Sequence, residues 1–348
     1  MTSTSTPAIS VILCVYNGEQ YIGETLRSLA RQTFGLPWEL VVIDDCSTDG
    51  TPEILARWQE QLPCMRVFRN ERNLRLQASL NRALEKAAGK YMVRIDADDV
   101  CRRDRLEKQY EYMESHPDIA VSSCRCMFLR EGRRFAAVTG QEYSAGYTMA
   151  RLLLTVPLFH PGVIARMDRV REHGYSVAHT CTEDLKLWTD IAAAGHKIAV
   201  QKDYLLLYRL HPGQITANTS DKQKEERRGI MKDFLARTLG YTETDSASYT
   251  DHLYFCSDFS DGSFLEEYKK LLRANRRSGF FDGLSLRRVL VEHLNELRRK
   301  REISSGLFCK GVLTLGIYAF VYETLFVRRC RREDAALIDA AHKLFEEE

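Results

Sequence analysis

The sequence predicts an α/β protein: a mainly parallel, twisted sheet wound with helices over residues 1–220, followed by a C-terminal helical region over residues 221–348. Three observations carry that expectation. Continuous apolar runs of strand length alternate with segments of helical periodicity, the pattern of strands buried on both faces beneath crossover helices. Some of these runs end in turns rich in aspartate, which in such sheets fall at the carboxyl edge where ligands bind. Beyond about Ser220 the composition shifts to charged helical sequence.

Taken in order, Ile9 to Val15 is an apolar strand that ends at Tyr16-Asn17-Gly18. Tyr21, Ile22, Thr25, Leu26 and Leu29 then recur at helical spacing. A second strand, Leu40 to Ile43, runs into Asp44-Asp45-Cys46-Ser47-Thr48-Asp49-Gly50-Thr51, and Pro52 suits the first turn of the helix that follows. Met65 to Phe68 reads as a third strand and Leu76 to Ala87 as a third helix. Lys90 to Ile95 is a fourth strand, delivering Asp96-Ala97-Asp98-Asp99 onto a turn. Right-handed crossovers place the acidic turns at Asp44 and Asp96 on the same edge.

The second half is mixed. A helix is expected around Arg105 to Met113, a strand after His160-Pro161-Gly162, and a turn at Gly174-Tyr175. Glu183-Asp184 opens a helix whose Leu185, Trp188 and Ile191 share a face. A strand near Ala199 to Tyr208 leads to Arg209-Leu210-His211-Pro212-Gly213. Phe128 to Tyr147 and Arg151 to Pro161 are expected as loops, and Thr242 to Thr250 as a polar loop. Gly311 to Tyr322 is apolar but too short to span a bilayer. It lies between the basic cluster Arg298-Arg299-Lys300-Arg301 and the pairs Arg328-Arg329 and Arg331-Arg332. Two readings stand: a buried helix of a small helical subdomain, or an interfacial helix held against anionic membrane.

Composition narrows the function. A net charge of +2 over 348 residues carries no whole-protein signature of a nucleic-acid partner. The ten cysteines have no regular spacing, and Cys124 and Cys126 are too close for the usual zinc knuckle, so reduced thiols are expected. Met1 to Pro7 is polar and unlike a signal peptide, which points to the cytoplasm.

The three carboxylates of Asp96, Asp98 and Asp99 repel one another unless a divalent cation, a proton or a basic partner holds them. In order along the chain stand Val15-Tyr16-Asn17, Asp44-Asp45-x-Ser47-x-Asp49-Gly50-Thr51, Asp96-Ala97-Asp98-Asp99, Glu183-Asp184 and Tyr208-Arg209-x-His211. Over residues 8–216 this order closely resembles the family-two inverting glycosyltransferases, whose GT-A fold is Rossmann-like and takes nucleotide-diphospho-sugars. Asn73-Leu74, Ser79-Leu80-Asn81, Arg105-Leu106-Glu107-Lys108-Gln109 and His116-Pro117 are similar to the branch holding many bacterial surface-polysaccharide enzymes.

The resemblance implies roles. Val15, Tyr16 and Asn17 would pack on the nucleotide base or ribose. Asp44 or Asp45 would accept the imide N–H of uracil, favouring a UDP-sugar. Asp96, with Ala97 beside it, would reach the ribose hydroxyls. Asp98 would hold Mg²⁺ or Mn²⁺ on the diphosphate, with His211 completing that shell. Arg209 would pair either with the diphosphate or with the acidic turn. Asp184, or its neighbour Glu183, would be the general base for an acceptor hydroxyl, the acceptor being a glycan or a lipid-linked glycan. Displacement in one step inverts the anomeric centre. Many relatives carry glycine where this chain has Arg75 and some carry arginine where it has Leu80, so Arg75 either supplies charge to the donor diphosphate or is a surface residue. The Gln-x-x-Arg-Trp element of processive synthases is missing from the sequence, which favours addition of one sugar at a time. Two other functions are weighed against this: a sugar-nucleotidyltransferase, whose Gly-rich phosphate loop the first turn lacks, and a non-catalytic nucleotide-sugar binding module, which predicts loss of the acidic residues that stand here.

Overall fold

The computed structural model describes residues 6–130, 133–136, 144–211 and 221–324, together with residues 338 and 345. The basic pairs at 328–329 and 331–332 lie outside the described residues. Strands β1 (Ile9–Val15), β2 (Trp38–Asp44), β3 (Met65–Arg69) and β4 (Tyr91–Asp96) are parallel, in the order β3-β2-β1-β4. Helices α1 (Ile22–Ala30), α2 (Thr51–Gln61) and α3 (Arg75–Lys86) make the crossovers. Register aligns the functional edge: Val15 lies opposite Asp44, and Cys14 opposite Asp96. The turns after three strands therefore begin within one residue of each other.

The sheet continues with mixed polarity. Strand β8 (Val163–Arg166) is antiparallel to both β4 and β6 (Ile119–Arg130), and β9 (Lys197–Arg209) runs parallel to β6. The short β5 (Val100–Cys101) and β7 (Arg133–Ala136) pair antiparallel with β9 and β6. Helices α4 (Arg105–Ser115), α5 (Ala145–Arg151), α6 (Met167–His173) and α7 (Glu183–Ala193) complete this half. Phe128 is therefore strand, not loop, and β7 and the start of α5 fall within the rest of that expected loop, of which residues 131–132 and 137–143 lie outside the described residues.

Side-chain alternation splits the core in two. Val11, Leu13, Val42 and Val93 face α1, α2 and α4 through Leu26, Leu55 and Leu106. Ile12, Val41, Ile43 and Met92 face the other way, toward Leu80 of α3 and Trp188 of α7. That second cluster runs on without a break into the C-terminal helices α8 (Asp221–Leu239), α10 (Phe264–Ser278) and α11 (Gly283–Arg299), through Phe234, Leu271 and Leu290.

Two expectations about this region are corrected. The polar stretch after Thr242 is helix α9 (Glu243–Tyr249), because Thr242 and Asp245 form a reciprocal capping box. The apolar stretch from Gly311 to Tyr322 is broken at Gly316, whose φ of +93° ends α12 (Ser305–Leu315) before α13 (Ile317–Thr324) begins.

Candidate active site

The loops after β1 and β2 lock together. The Asn17 amide donates to Ser47 Oγ at 3.0 Å, its Oδ1 accepts from the Thr48 amide at 2.8 Å, and the Gly18 amide donates to Thr51 Oγ1 at 2.9 Å. Asn17 has a left-handed φ of +53°, which asparagine tolerates better than most residues. Tyr16 stands 51% exposed beside this loop, an open flat surface at the sheet edge. Val15 is different: its side chain belongs to the core and its carbonyl accepts from the Asp45 amide at 2.8 Å.

Asp44 and Asp45 are both buried and both engaged. Asp44 accepts from the Ser47 amide at 2.9 Å and pairs with Arg69 at 3.0 Å. Asp45 turns toward α3, accepting from Asn70 Nδ2 at 2.6 Å and from the amides of Leu74 and Arg75 at 2.8 and 2.9 Å. It satisfies the start of that helix. Arg75 is exposed at a φ of +70°, a conformation that suits glycine.

The acidic turn is the electrostatic centre of the edge. Asp96 is gripped by both terminal nitrogens of Arg94, one of them at 2.9 Å. Burial pushes its carboxyl above the ordinary range, and Arg94 pulls it back. Ala97 is partly buried, and its carbonyl accepts from Thr25 Oγ1 at 2.9 Å. Asp98 lies 2.8 Å from His211 Nε2. Arg209 serves the turn: its amide donates to Asp99 Oδ1 at 2.9 Å and its Nε to the Asp98 carbonyl at 2.8 Å. Its guanidinium pairs with Glu24 and sits 4.6 Å over the Tyr21 ring, which also packs against His211.

Asp99 is fully buried, and its Oδ2 has no hydrogen-bond partner. Burial, then Asp96 and Asp98, hold its carboxyl well above the usual range. Oxygens of Asp96, Asp98 and Asp99 lie within 4.8 Å of one another. An orphaned carboxylate oxygen within an all-oxygen, net-negative donor set fits a hard divalent cation. In the sequence, Asp99 counts among the three carboxylates that need a cation, a proton or a basic partner, but the cation is assigned there to Asp98 and His211 without it.

Across the edge, α7 begins with the second acidic pair. Asp184 is half-buried, and its Oδ1 accepts from the Leu185 amide at 2.7 Å. Burial raises its carboxyl, while the Leu185 amide, Arg94 and Arg227 favour its charge. Glu183 lies deeper, accepting from Gln77 Nε2 at 3.2 Å. Burial and the charge of Asp184 push it up to about 7. His160 contacts Tyr175 OH at 2.9 Å and lies 3.9 Å from Glu183, and burial beside Arg94 keeps it neutral. Arg94 is thus the common neighbour: Asp96, Tyr175, Glu183 and Asp99 all act on it. Its signal in the sequence was one arginine inside the otherwise apolar run Tyr91-Met92-Val93-Arg94-Ile95. The edge therefore carries an exposed ring, an acidic cation-type cluster and a carboxylate pair of raised proton affinity, joined by one buried guanidinium. Such an arrangement can bind a hard cation and can accept or hold a proton near neutral pH.

Comparison with known proteins agrees. The family model described as "Glycosyl transferase family 2" matches residues 10–170. The amylovoran biosynthesis glycosyltransferase AmsE of Erwinia amylovora is 31% identical over 203 residues, covering 58% of this chain and 75% of the relative. An uncharacterized glycosyltransferase of Haemophilus influenzae is 29% identical over 239 residues, covering 65% of this chain and 73% of the relative. Among solved structures, S. aureus TarS 1–349 in complex with UDP-GlcNAc aligns with a TM-score of 0.55 at 19% identity, covering 89% of this chain and 91% of that one. The mannosyltransferase PcManGT of Pyrobaculum calidifontis, in complex with GDP-Man and Mn²⁺, aligns with a TM-score of 0.51 at 20% identity, covering 95% and 88%. The chain belongs to glycosyltransferase family 2, and its fold is GT-A.

Proposed function

We propose that the chain is an inverting glycosyltransferase that moves one sugar from a UDP-sugar to a hydroxyl of a glycan or lipid-linked acceptor, on the cytoplasmic side of the membrane, in surface-polysaccharide assembly. The observation that carries it is the pairing of two acidic stations around Arg94: the turn Asp96–Asp99 and the helix start Glu183-Asp184. AmsE, a relative named for amylovoran biosynthesis, supports the polysaccharide setting.

Asp98, with Asp99 and His211 beside it, would hold Mg²⁺ or Mn²⁺, which when bound stabilises the charge that grows on the leaving diphosphate. Tyr16 and Asn17 flank the base, and Asp44 accepts the uracil imide N–H at the edge of its buried site. Asp96, held by Arg94, takes the ribose hydroxyls. Asp184 removes the proton of the acceptor hydroxyl as that oxygen attacks the anomeric carbon on the face opposite the diphosphate. Glu183 is buried where Asp184 is half-exposed, and it keeps a proton near neutral pH. The carboxylate nearer solvent is therefore the base.

The test is a panel of nucleotide sugars scored by release of nucleoside diphosphate, with and without Mn²⁺. Release from one UDP-sugar, dependent on metal and accelerated by acceptor, is expected. Turnover of no donor in the panel would overturn the reading.

A further inference from the structure

The bent pair α12–α13 packs Leu315, Ala319 and Phe320 on the core, yet it also leaves a second apolar face turned outward. In α13 the apolar Ile317, Tyr318, Val321 and Tyr322 are exposed (62, 72, 47 and 37%), while the charged Glu323 is 1% exposed. Positions i, i+1, i+4 and i+5 form one outward face. Glu323 is held inward by Arg288 of α11 at 2.7 Å, a pair buried on both sides. Leu313 of α12, 70% exposed, extends the apolar surface across the bend.

Beside the bend lies a cavity of about 320 Å³ lined by Leu272, Asn275, Arg276, Gly283, Leu284 and Arg287. Arg287 donates to the Leu315 carbonyl at 2.6 Å, which ties this cavity to the corner at Gly316. Burial and the neighbouring charge of Arg276 both disfavour its cation. Two guanidinium groups are thus crowded together, and no carboxylate among the described residues pairs with either. A cationic recess next to an exposed apolar ridge matches the phosphate-over-acyl layering of an anionic bilayer. The two arms meet at 103° and each is far shorter than the ~20 residues a span needs, so they suit a surface.

We propose that Leu313, Ile317, Tyr318, Val321 and Tyr322, with the Arg276–Arg287 recess, seat the protein on an anionic lipid bilayer. The apolar side chains enter the acyl boundary and the arginines take the lipid phosphates. This seat is independent of which donor the enzyme uses.

The full-length chain is floated with phosphatidylglycerol-containing vesicles and with pure phosphatidylcholine vesicles. It is expected to float with the first, weakly with the second, and less as salt rises. The double variant Ile317→Ser/Tyr318→Ser should lose about tenfold or more of the bound fraction, and Arg276→Glu about fivefold, each with unchanged melting temperature and unchanged donor hydrolysis in solution. Should the double variant fail to melt cooperatively, Arg276→Glu alone decides. Flotation that is equally poor with both vesicle types overturns the seat. Equal flotation with neutral lipid overturns the arginine recess. A concentration-dependent dimer of the unaltered chain, abolished in the double variant and unaccompanied by lipid binding, would mean the face meets a second copy instead.

Discussion

Glu226 of α8 receives the Thr182 hydroxyl at 2.7 Å and the amides of Thr180 and Cys181 at 3.3 Å. A carboxylate from beyond residue 220 therefore grips the three residues that lead into α7, the helix that opens with Glu183-Asp184. Gln223, one turn earlier, donates to the Cys181 carbonyl at 3.2 Å. Gln77 of α3 holds the other side, donating to the Thr180 carbonyl at 3.0 Å. Glu226→Ala is expected to lower kcat about tenfold or more while leaving the donor KM near its original value, because misplacing a base costs the transition state and not donor binding. Glu226→Gln, which keeps one acceptor, should recover part of the loss. A variant that raises KM alone would argue against positioning.

Asp184→Asn should reduce transfer at least about a hundredfold with donor affinity nearly intact, since asparagine keeps the hydrogen bond to the Leu185 amide but cannot take a proton. Glu183→Gln should cost much less. Transfer assays on the two variants side by side decide between the carboxylates, and a reversed order would make Glu183 the base.

Glu183 also predicts a pH dependence of stability. Its folded-state carboxyl, at about 7 against an ordinary 4.5, binds protons more tightly in the folded chain than in the unfolded one. Stability should therefore fall as pH rises from 4.5 to about 7, with the cost fully present above that. Glu183→Gln removes the cost, up to about 3 kcal/mol. Its melting temperature should exceed the parent's at pH 8 and converge with it at pH 4. Parallel melting curves across that range would refute the assignment.

Asp98→Ala should weaken Mn²⁺-stimulated donor binding about tenfold or more, as measured by calorimetry, and leave the melting temperature of the donor-free protein within a few degrees. His211, whose Nε2 lies 2.8 Å from Asp98, makes the second test. Alanine there should weaken the same binding by a smaller factor. Donor affinity that is unchanged at saturating Mn²⁺ in Asp98→Ala would remove the metal role.

Arg75→Gly should stabilise the fold by about 1 kcal/mol, because it relieves a left-handed backbone that costs an L-residue roughly 1–2 kcal/mol. The Asp45 and Asn73 acceptors stay in place, since they hold the amide and not the side chain. Chemical denaturation reads the gain. If the same variant also loses donor affinity, the Arg75 guanidinium reaches the diphosphate. If it does not, Arg75 is a surface residue.

Much of the first half was legible because buried parallel strands announce themselves. Ile9–Val15 falls on the expected residues, and the paired acidic turns follow from strand order alone. What escaped is set by contacts distant in sequence. Arg94 gave only the signal of a charge in an apolar strand, and its meaning depends on Glu183, nearly ninety residues on. Tyr21 reads as one residue of a helix face until the β9 end brings Arg209 and His211 onto its ring. Thr242–Asp245 was legible in principle, since the cap lies within four residues, but polar composition hid it. The break at Gly316 was missed for the opposite reason: uniform apolarity masked a single glycine in a left-handed turn.

The apolar layer that joins Ile12 and Trp188 to Leu290 also sets a schedule for synthesis. Leu290 leaves the ribosome roughly a hundred residues after Trp188, an interval on the order of 5–20 s at about 5–20 residues per second. During that time the sheet face that carries Ile12, Val41 and Met92 has α3 and α7 for cover but not the helices that close over them. A nascent chain therefore carries an unfinished apolar face until its last helices emerge. The order of synthesis thus leaves the layer that closes over α3 and α7 to be completed last.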